Sequence, residues 1–247
     1  MELLNKNTER LILMGINVTD YRYLFDAMFG NGSSKQGMMK SSDLSTKSGQ
    51  AQLRAAGIDT NSAQYKAAMK NMQSAGGVGY VNIQGIKNMM SSYDKDGDFV
   101  IQGGPFAGIS GLVVNEENAS KRTKGTVPIS DSIKEEMFET LKKEFAEGKW
   151  DGVETSSGTN RSDIYAKLYK GTAKNDRLAA GRTLQAYEKQ YIKEFTKVLK
   201  AADPSRKPGM PASADAIAKL NEVSRSGIDK KVAATNGKVG NNINLSI

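Results

Sequence analysis

The chain contains no cysteine and no histidine among its 247 residues. Cysteine proteases, histidine-based catalytic triads, zinc fingers and nearly all zinc or copper sites are therefore excluded, because their nucleophiles and ligands are missing. A metal site in this chain must use oxygen ligands, which calcium, magnesium and manganese accept. The lack of cysteine also excludes disulfides and is compatible with any redox compartment.

Long apolar runs are lacking as well. The longest, such as Leu11 to Met14, fall far short of the roughly 20 residues that a membrane-spanning helix needs. The first residues mix Glu2, Glu9 and Arg10 with leucines, which is not the pattern of a signal peptide. We therefore expect no membrane span, and a protein that is cytoplasmic or exported by a route that reads other signals.

Apolar residues recur at intervals of three and four through most of the chain, which is the spacing of amphipathic helices. This pattern predicts a mainly α fold: an irregular helical domain with one or two very short strands near an acidic stretch. The region 30–50 is rich in glycine, serine and lysine, which predicts a flexible connection. We therefore divide the chain into an N-terminal arm with a helix and linker (1–49), a helical domain (50–228) and a mobile tail (229–247).

The predicted arm contains a short amphipathic helix between Thr19 and Phe29. Such a helix on a tether either docks on its own domain, as part of the core, or binds a partner protein. Its apolar stripe is the candidate partner-binding surface and consists of Tyr21, Leu24, Phe25, Met28 and Phe29.

Three carboxylates alternate in the stretch "YDKDGDFVI", at Asp94, Asp96 and Asp98. Held within about 5 Å, they repel one another by on the order of 1 to 3 kcal/mol per pair, and a divalent cation removes that cost. The alternative is a solvated turn, because aspartate also favours turns by bonding its own backbone. The stretch resembles the entry of an EF-hand calcium loop, in which these residues and the Val100 carbonyl would be ligands.

This stretch departs from the EF-hand pattern at two positions. Phe99 replaces the turn glycine at position 6, which costs roughly 1 to 2 kcal/mol or forces another backbone path. Pro105 replaces the closing bidentate glutamate at position 12. We therefore expect weak calcium binding, completed by oxygens of Gln102, Glu116 or Glu117, and no other cofactor.

The net charge is +8, and four lysines lie at helical spacing in one predicted helix. These residues are Lys189, Lys193, Lys197 and Lys200. Because no nucleic-acid-binding motif accompanies them, we expect a solvated helix face, with nucleic-acid binding as the lesser alternative.

Four phrases resemble a family of uncharacterised proteins from Gram-positive, clostridia-type bacteria. They are "AAGIDTNSAQYKAAMKNMQSAGG", "IQGIKNMMSSYDKDGD", "KNDRLAAGRTLQAYEKQY" and "KAADPSRKPGMP". The resemblance implies a bacterial origin and a helical body with a "YDKDGD" turn, and it carries over no catalytic residue.

The leading functional hypothesis is a non-enzymatic structural or interaction protein with a protein partner and one calcium-stabilised loop. Two alternatives remain open. One is a hydrolase that uses Mg²⁺ or Mn²⁺ at Asp94, Asp96 and Asp98, although no base or phosphate-binding set accompanies them. The other is a basic nucleic-acid-binding protein.

Overall fold

The structure is a computed structural model that describes residues 38–74, 79–149, 161–207 and 209–239. The described residues form eight α-helices and one two-stranded antiparallel sheet, so the predicted mainly α class is confirmed. They fall into two compact units, one ending at Val100 and the other beginning at Ile101. This division differs from the predicted boundaries after residues 49 and 228.

The described part of the first unit contains the sheet and three helices. In chain order the elements are β1 (Met38–Lys40), a 3-10 turn (Ser41–Ser45), α1 (Lys47–Ala55), α2 (Ala63–Ser74), β2 (Tyr80–Asn82) and α3 (Ile83–Ser91). Met39 of β1 pairs with Val81 of β2. Thr46 and Asn82 begin α1 and α3, because each side chain accepts a hydrogen bond from the backbone N–H three residues on.

The core of the first unit combines aliphatic residues with many methionines. Leu53, Ala68 and Ile86 are fully buried at its centre. The methionines packed there are Met39, Met69, Met72 and Met89. Methionine suits this place because its unbranched side chain fills irregular gaps between short helices.

The predicted flexible linker at 30–50 is wrong over residues 38–50. Met39 and Leu44 are only 8% and 5% exposed. Gly49 packs so closely on the preceding turn that a Cβ there would lie 1.9 Å from the carbonyl oxygen of Asp43. The sequence did not reveal this packing, because isolated apolar residues among glycines and serines carry no periodic signal.

The second unit is helical after a long irregular segment. Its helices are α4 (Asp131–Glu147), α5 (Arg161–Lys170), α6 (Arg177–Ala202), α7 (Ala214–Asn221) and α8 (Arg225–Val239). The long α6 packs against the other four. At its centre the ring of Phe138 lies 5.2 Å from Tyr191 and 5.1 Å from Phe195, measured between ring centroids.

Gly148 ends α4 in the left-handed conformation, with φ of +73°. A Cβ at this position would lie 2.4 Å from the carbonyl group of Met210. Glycine is therefore required twice, once for its positive φ and once for the close approach of another backbone segment.

Residues near the start of α6 bind the irregular segment that precedes α4, at residues 123–127. Arg182 donates from Nε to the Gly125 carbonyl at 2.8 Å and from Nη2 to the Thr123 carbonyl at 2.9 Å. The Thr183 hydroxyl donates to the Val127 carbonyl at 2.8 Å and accepts the Val127 N–H at 3.1 Å. Part of the phrase "KNDRLAAGRT" therefore serves to bind backbone groups that no regular element satisfies.

The chain continues as α8 to Val239, whereas the sequence analysis expected a mobile tail from residue 229. Ile228 and Val232, one helical turn apart, are 4% and 2% exposed in this helix. Apolar residues are sparse in the sequence of this helix and give a weak periodic signal, so the correction concerns residues 229–239. Residues 240–247 lie outside the described residues.

Candidate functional sites

The acidic turn follows α3 and is built around Asp94. Its Oδ1 accepts the backbone N–H of Asp96 at 3.0 Å and of Asp98 at 3.1 Å. Its own N–H donates to the Asp98 carbonyl at 2.9 Å. The three predicted aspartates thus share one closed turn of the kind that aspartate forms with its own backbone. Asp96 is exposed, whereas Asp98 is only 7% exposed.

Gly97 and Phe99 show how the turn closes without glycine at position 6. Gly97 has φ of +81° and approaches α2 so closely that a Cβ would lie 3.0 Å from the Ala63 carbonyl oxygen. Phe99 pairs with Tyr93 in an isolated antiparallel bridge, and their rings meet edge to face at 6.0 Å. The sequence analysis expected Phe99 either to cost conformational energy at position 6 or to force a backbone path unlike that of an EF-hand. The structure shows the second outcome.

Helix α2 supports the turn through Tyr93. The Gln64 side-chain amide donates to the Tyr93 carbonyl at 2.9 Å, and the Asn71 amide donates to the Tyr93 hydroxyl at 2.8 Å. Both polar ends of Tyr93 are therefore bound, and the residue just before Asp94 is fixed to the core of the first unit.

The other predicted calcium ligands are not part of the hydrogen-bonded turn around Asp94. Val100 ends the first unit, and its N–H donates to the Ser92 carbonyl at 2.9 Å. Gln102, Glu116 and Glu117 are exposed residues of the second unit. Among the residues that the structure describes, no group of three or more acidic side chains lies close enough together to hold a metal ion. Calcium binding at the turn stays a prediction.

A charge cluster that is buried at Glu144 and partly buried elsewhere joins α4, α5 and α6. Arg161 donates from Nη1 to Glu188 Oε1 at 2.9 Å, and its Nε lies 3.4 Å from Glu144 Oε2. The Tyr165 hydroxyl donates to the other oxygen of Glu188 at 2.6 Å. One arginine is therefore shared by two carboxylates from different helices. We call these four residues the Arg161 cluster.

Burial shifts the ionisation of this region. Loss of solvation raises the pKa of Glu144, and the charge of Arg161 opposes that shift only in part. Neither carboxylate oxygen of Glu144 accepts a hydrogen bond. Burial also raises the pKa of Tyr165, and it raises the pKa of Tyr169 to about 12. Both phenols consequently keep their protons at neutral pH.

A second cluster attaches α8 to the start of α4. Arg225 donates two hydrogen bonds to the Asp131 carboxylate, at 3.0 and 2.6 Å. Its Nη1 also donates to Asp229 at 2.6 Å, and its Nε lies 2.6 Å from Glu135. Hydrogen bonds from Arg225 and, next in size, from Lys134 lower the pKa of Asp131 to about 2. With Tyr191, which donates to Asp229 at 2.6 Å, these residues form the Arg225 cluster.

Sequence reasoning missed both clusters, because their members come from helices that are distant in the chain. One signal was available. Glu144 occupies a buried position on the apolar face of α4, beside Phe145 and one turn after Leu141. A charged residue on an apolar stripe requires a buried partner of opposite charge.

Two further expectations concern the arm and the membrane. The candidate partner-binding residues Tyr21, Leu24, Phe25, Met28 and Phe29 lie outside the described residues. In the part of the chain that is described, none of the helices combines the length and the apolar character needed to cross a membrane.

Comparison with known proteins identifies the family to which the chain belongs. The model of a family described as a domain of unknown function (DUF3879) matches residues 58–247, well over half of the chain. The chain belongs to this family. No curated protein and no solved structure matches it.

The DUF3879 region includes the acidic turn and both charge clusters. It begins at Ile58, which is 2% exposed in the turn between α1 and α2. The expected membership of a family without an assigned function is therefore correct, and the expected bacterial origin stays a prediction.

Proposed function

We propose that this DUF3879 protein is a non-enzymatic structural or interaction protein. The observation that carries the proposal is the use of two partly buried arginines: Arg161 and Arg225 each bind acidic side chains of other helices. Charged groups held in this way fix helix positions. A general acid or base must instead reach a proton of a bound substrate.

The remaining ionisable groups support the same conclusion. Without histidine and cysteine, acid–base chemistry falls to glutamate, aspartate, lysine and tyrosine. Glu144 has the raised pKa of a general acid, but it is 6% exposed and lies beside Arg161. Burial raises the pKa of Tyr191 as well as those of Tyr165 and Tyr169, so none of these phenols serves as a base at neutral pH.

The competing function is a Mg²⁺- or Mn²⁺-dependent hydrolase that uses the acidic turn. Chromogenic phosphate ester and glycoside substrates test it directly, with either metal present. We expect no turnover above the protein-free rate. Turnover that disappears in the Asp94→Asn, Asp96→Asn variant would show that the protein is an enzyme.

We propose that the interaction surface is the apolar stripe of the predicted arm helix, with a protein as its partner. The described first unit begins at Met38, so a deletion of residues 1–37 leaves all of its described elements intact. We expect this deletion to leave the melting temperature unchanged and to abolish binding of a partner captured by the full chain. A large fall in melting temperature would instead place the stripe in the protein's own core.

Weak calcium binding at the acidic turn is a second proposed property. It is favoured by the Asp94 hydrogen bonds, which gather the three aspartates into one turn. The carboxylates must still reorient to enclose an ion, and Pro105 supplies no closing carboxylate, so weak affinity is expected. A weak site is filled only where calcium is plentiful, as it is outside cells. Weak affinity therefore suits an exported protein.

Calcium titration of chelator-treated protein tests this property. The melting temperature should rise with calcium, and the Asp94→Ala, Asp96→Ala variant should lack the rise. Asp163→Ala, at an exposed position on α5, is the matched control and should keep it. No rise up to about 10 mM calcium would exclude the site.

A further inference from the structure

The outer face of α6 carries a row of lysines. Lys189, Lys193, Lys197 and Lys200 are all exposed. At about 100° and 1.5 Å per residue, they lie within an arc of about 80° and span about 16 Å along the helix. We call this row the lysine face.

The acidic side chains of α6 do not neutralise the lysine face. Glu188 is bound by two side chains of α5. Glu194 accepts a hydrogen bond from Lys231 at 3.0 Å, and this bond lowers its pKa more than the nearby charges of Lys197 and Lys193 do. Within the part of the chain that the structure describes, none of the four lysines forms an ion pair. The face therefore keeps a clear excess of positive charge on a rigid helix.

The surroundings of the row indicate the chemistry of its partner. The large exposed apolar residues of the described chain are Met38, Tyr80, Val114 and Met210, and none of them is on α6. Protein interfaces need apolar or aromatic anchors and are poor in lysine, and membrane-binding helices need an apolar face. Single-stranded nucleic acid needs aromatic side chains on which bases stack. A nucleic-acid duplex can be bound through its phosphate backbone by positive charges alone.

We propose that the lysine face binds the phosphate backbone of double-stranded DNA, without reading its base sequence. The four lysines are exposed, as predicted for a solvated helix face, and the proposal adds a ligand for that face. Lysines one turn apart, at about 6 Å, meet phosphates that follow one another along a strand.

Salt dependence gives the proposal a quantitative form. Each phosphate that is neutralised contributes about −0.9 to the slope of log affinity against log salt. Four contacts predict a slope of about −3.6, so binding should weaken on the order of a hundredfold between about 50 and about 200 mM salt. Binding should be the same for duplexes of unrelated sequence, because phosphates carry no sequence information.

The experiment measures the binding of the full chain to a fluorescent DNA duplex over this salt range. The test variant changes all four lysines of the face to glutamine. The control variant removes the same charge elsewhere, at exposed lysines of α2, α3, α4 and α5. Its substitutions are Lys66→Gln, Lys87→Gln, Lys143→Gln and Lys167→Gln. The double variant Lys193→Gln, Lys197→Gln should show about half of the slope change.

We expect the test variant to lose the salt-dependent binding and the control variant to retain the full slope, with circular dichroism unchanged in both. Equal losses in the two variants would overturn the proposal, because net charge alone would then explain binding. It would also be overturned by undetectable binding at about 50 mM salt, or by tighter binding to single strands, duplex RNA or anionic vesicles than to duplex DNA.

Discussion

Glu144 is the residue at which burial and charge oppose each other most directly. Its carboxylate is 6% exposed, accepts no hydrogen bond and lies 3.4 Å from the Arg161 guanidinium. Removing a carboxylate from water disfavours its charged form, and one shared arginine offsets only part of that penalty. Glu144 therefore helps to fix the geometry of α4 and α5 without contributing stability as an anion.

The pH dependence of Glu144→Gln tests this interpretation. The raised pKa means that the folded protein binds a proton where the unfolded chain has lost it, so the carboxylate lowers stability as pH rises above about 4.5. We expect the substitution to raise the free energy of unfolding at neutral pH and to have little effect at about pH 4. Denaturant unfolding at both pH values measures the difference.

Glu139→Gln, on the exposed side of α4, is the control and should show no such pH dependence. A loss of stability in Glu144→Gln at neutral pH would show that the pair with Arg161 outweighs the cost of burial.

The acidic turn shows which features of a site can be predicted from the sequence and which cannot. The alternation of Asp94, Asp96 and Asp98 predicted one shared turn, because aspartate bonds nearby backbone groups. The burial of Asp98 and the support of Tyr93 by Gln64 could not be predicted, because they depend on where α2 packs. Local chemistry was visible in the sequence, and its tertiary surroundings were not.

At the scale of elements, Gly148 determines how α4 gives way to the following chain. Alanine there would adopt a left-handed φ at a cost of about 1 to 2 kcal/mol and would also collide with the Met210 carbonyl. We expect Gly148→Ala to lower the free energy of unfolding by more than about 2 kcal/mol, as measured by denaturant unfolding.

Gly57→Ala separates the two causes. Gly57 has φ of +81°, and a Cβ at this position would have no atom within 4 Å, so only the conformational cost applies there. Equal losses of stability for the two variants would mean that the contact with Met210 contributes nothing.

The Arg225 cluster determines whether α8 stays docked. Replacing Arg225 with methionine removes both bonds to Asp131 and leaves Asp229 with Tyr191 and the more distant Lys134 as partners. We expect amide hydrogen exchange to accelerate at Ile228 and Val232, while α5 is unaffected. Unchanged protection of α8 would show that apolar packing alone holds it.

Acid should have the same effect as this substitution. The lowered pKa of Asp131 means that its contribution is present above about pH 4 and is lost as pH falls towards 2. The protection factors of the α8 amides, which correct for the pH dependence of intrinsic exchange, should therefore fall over this range in the original chain, and much less in Arg225→Met.

Elements with strong helical periodicity were predictable, and weakly patterned ones were not. The stripe from Ile133 to Phe145 predicted α4, and the Ser130 cap predicted its start. β1 was missed because its single buried residue, Met39, lies in a glycine-rich and serine-rich stretch. α8 was missed because Ile228 and Val232 alone give no stripe.

At the scale of the whole molecule, the chain consists of two units with different cores. The first packs methionine and aliphatic residues around a two-stranded sheet. The second packs helices around Phe138, Tyr191 and Phe195, with the Arg161 and Arg225 clusters joining its helices. We propose that these clusters maintain the fold and do not carry out chemistry.

The free energy of unfolding of Arg161→Met tests that claim most directly. Removing the arginine leaves the buried Glu144 and the partly buried Glu188 without their shared cation, so we predict a loss of about 3 to 5 kcal/mol. Lys167→Met, which breaks an exposed ion pair between the same helix and Glu136 of α4, should lose less than about 1 kcal/mol. Unchanged or increased stability in Arg161→Met would contradict the account, because residues kept for catalysis or binding are often replaced at no cost to the fold.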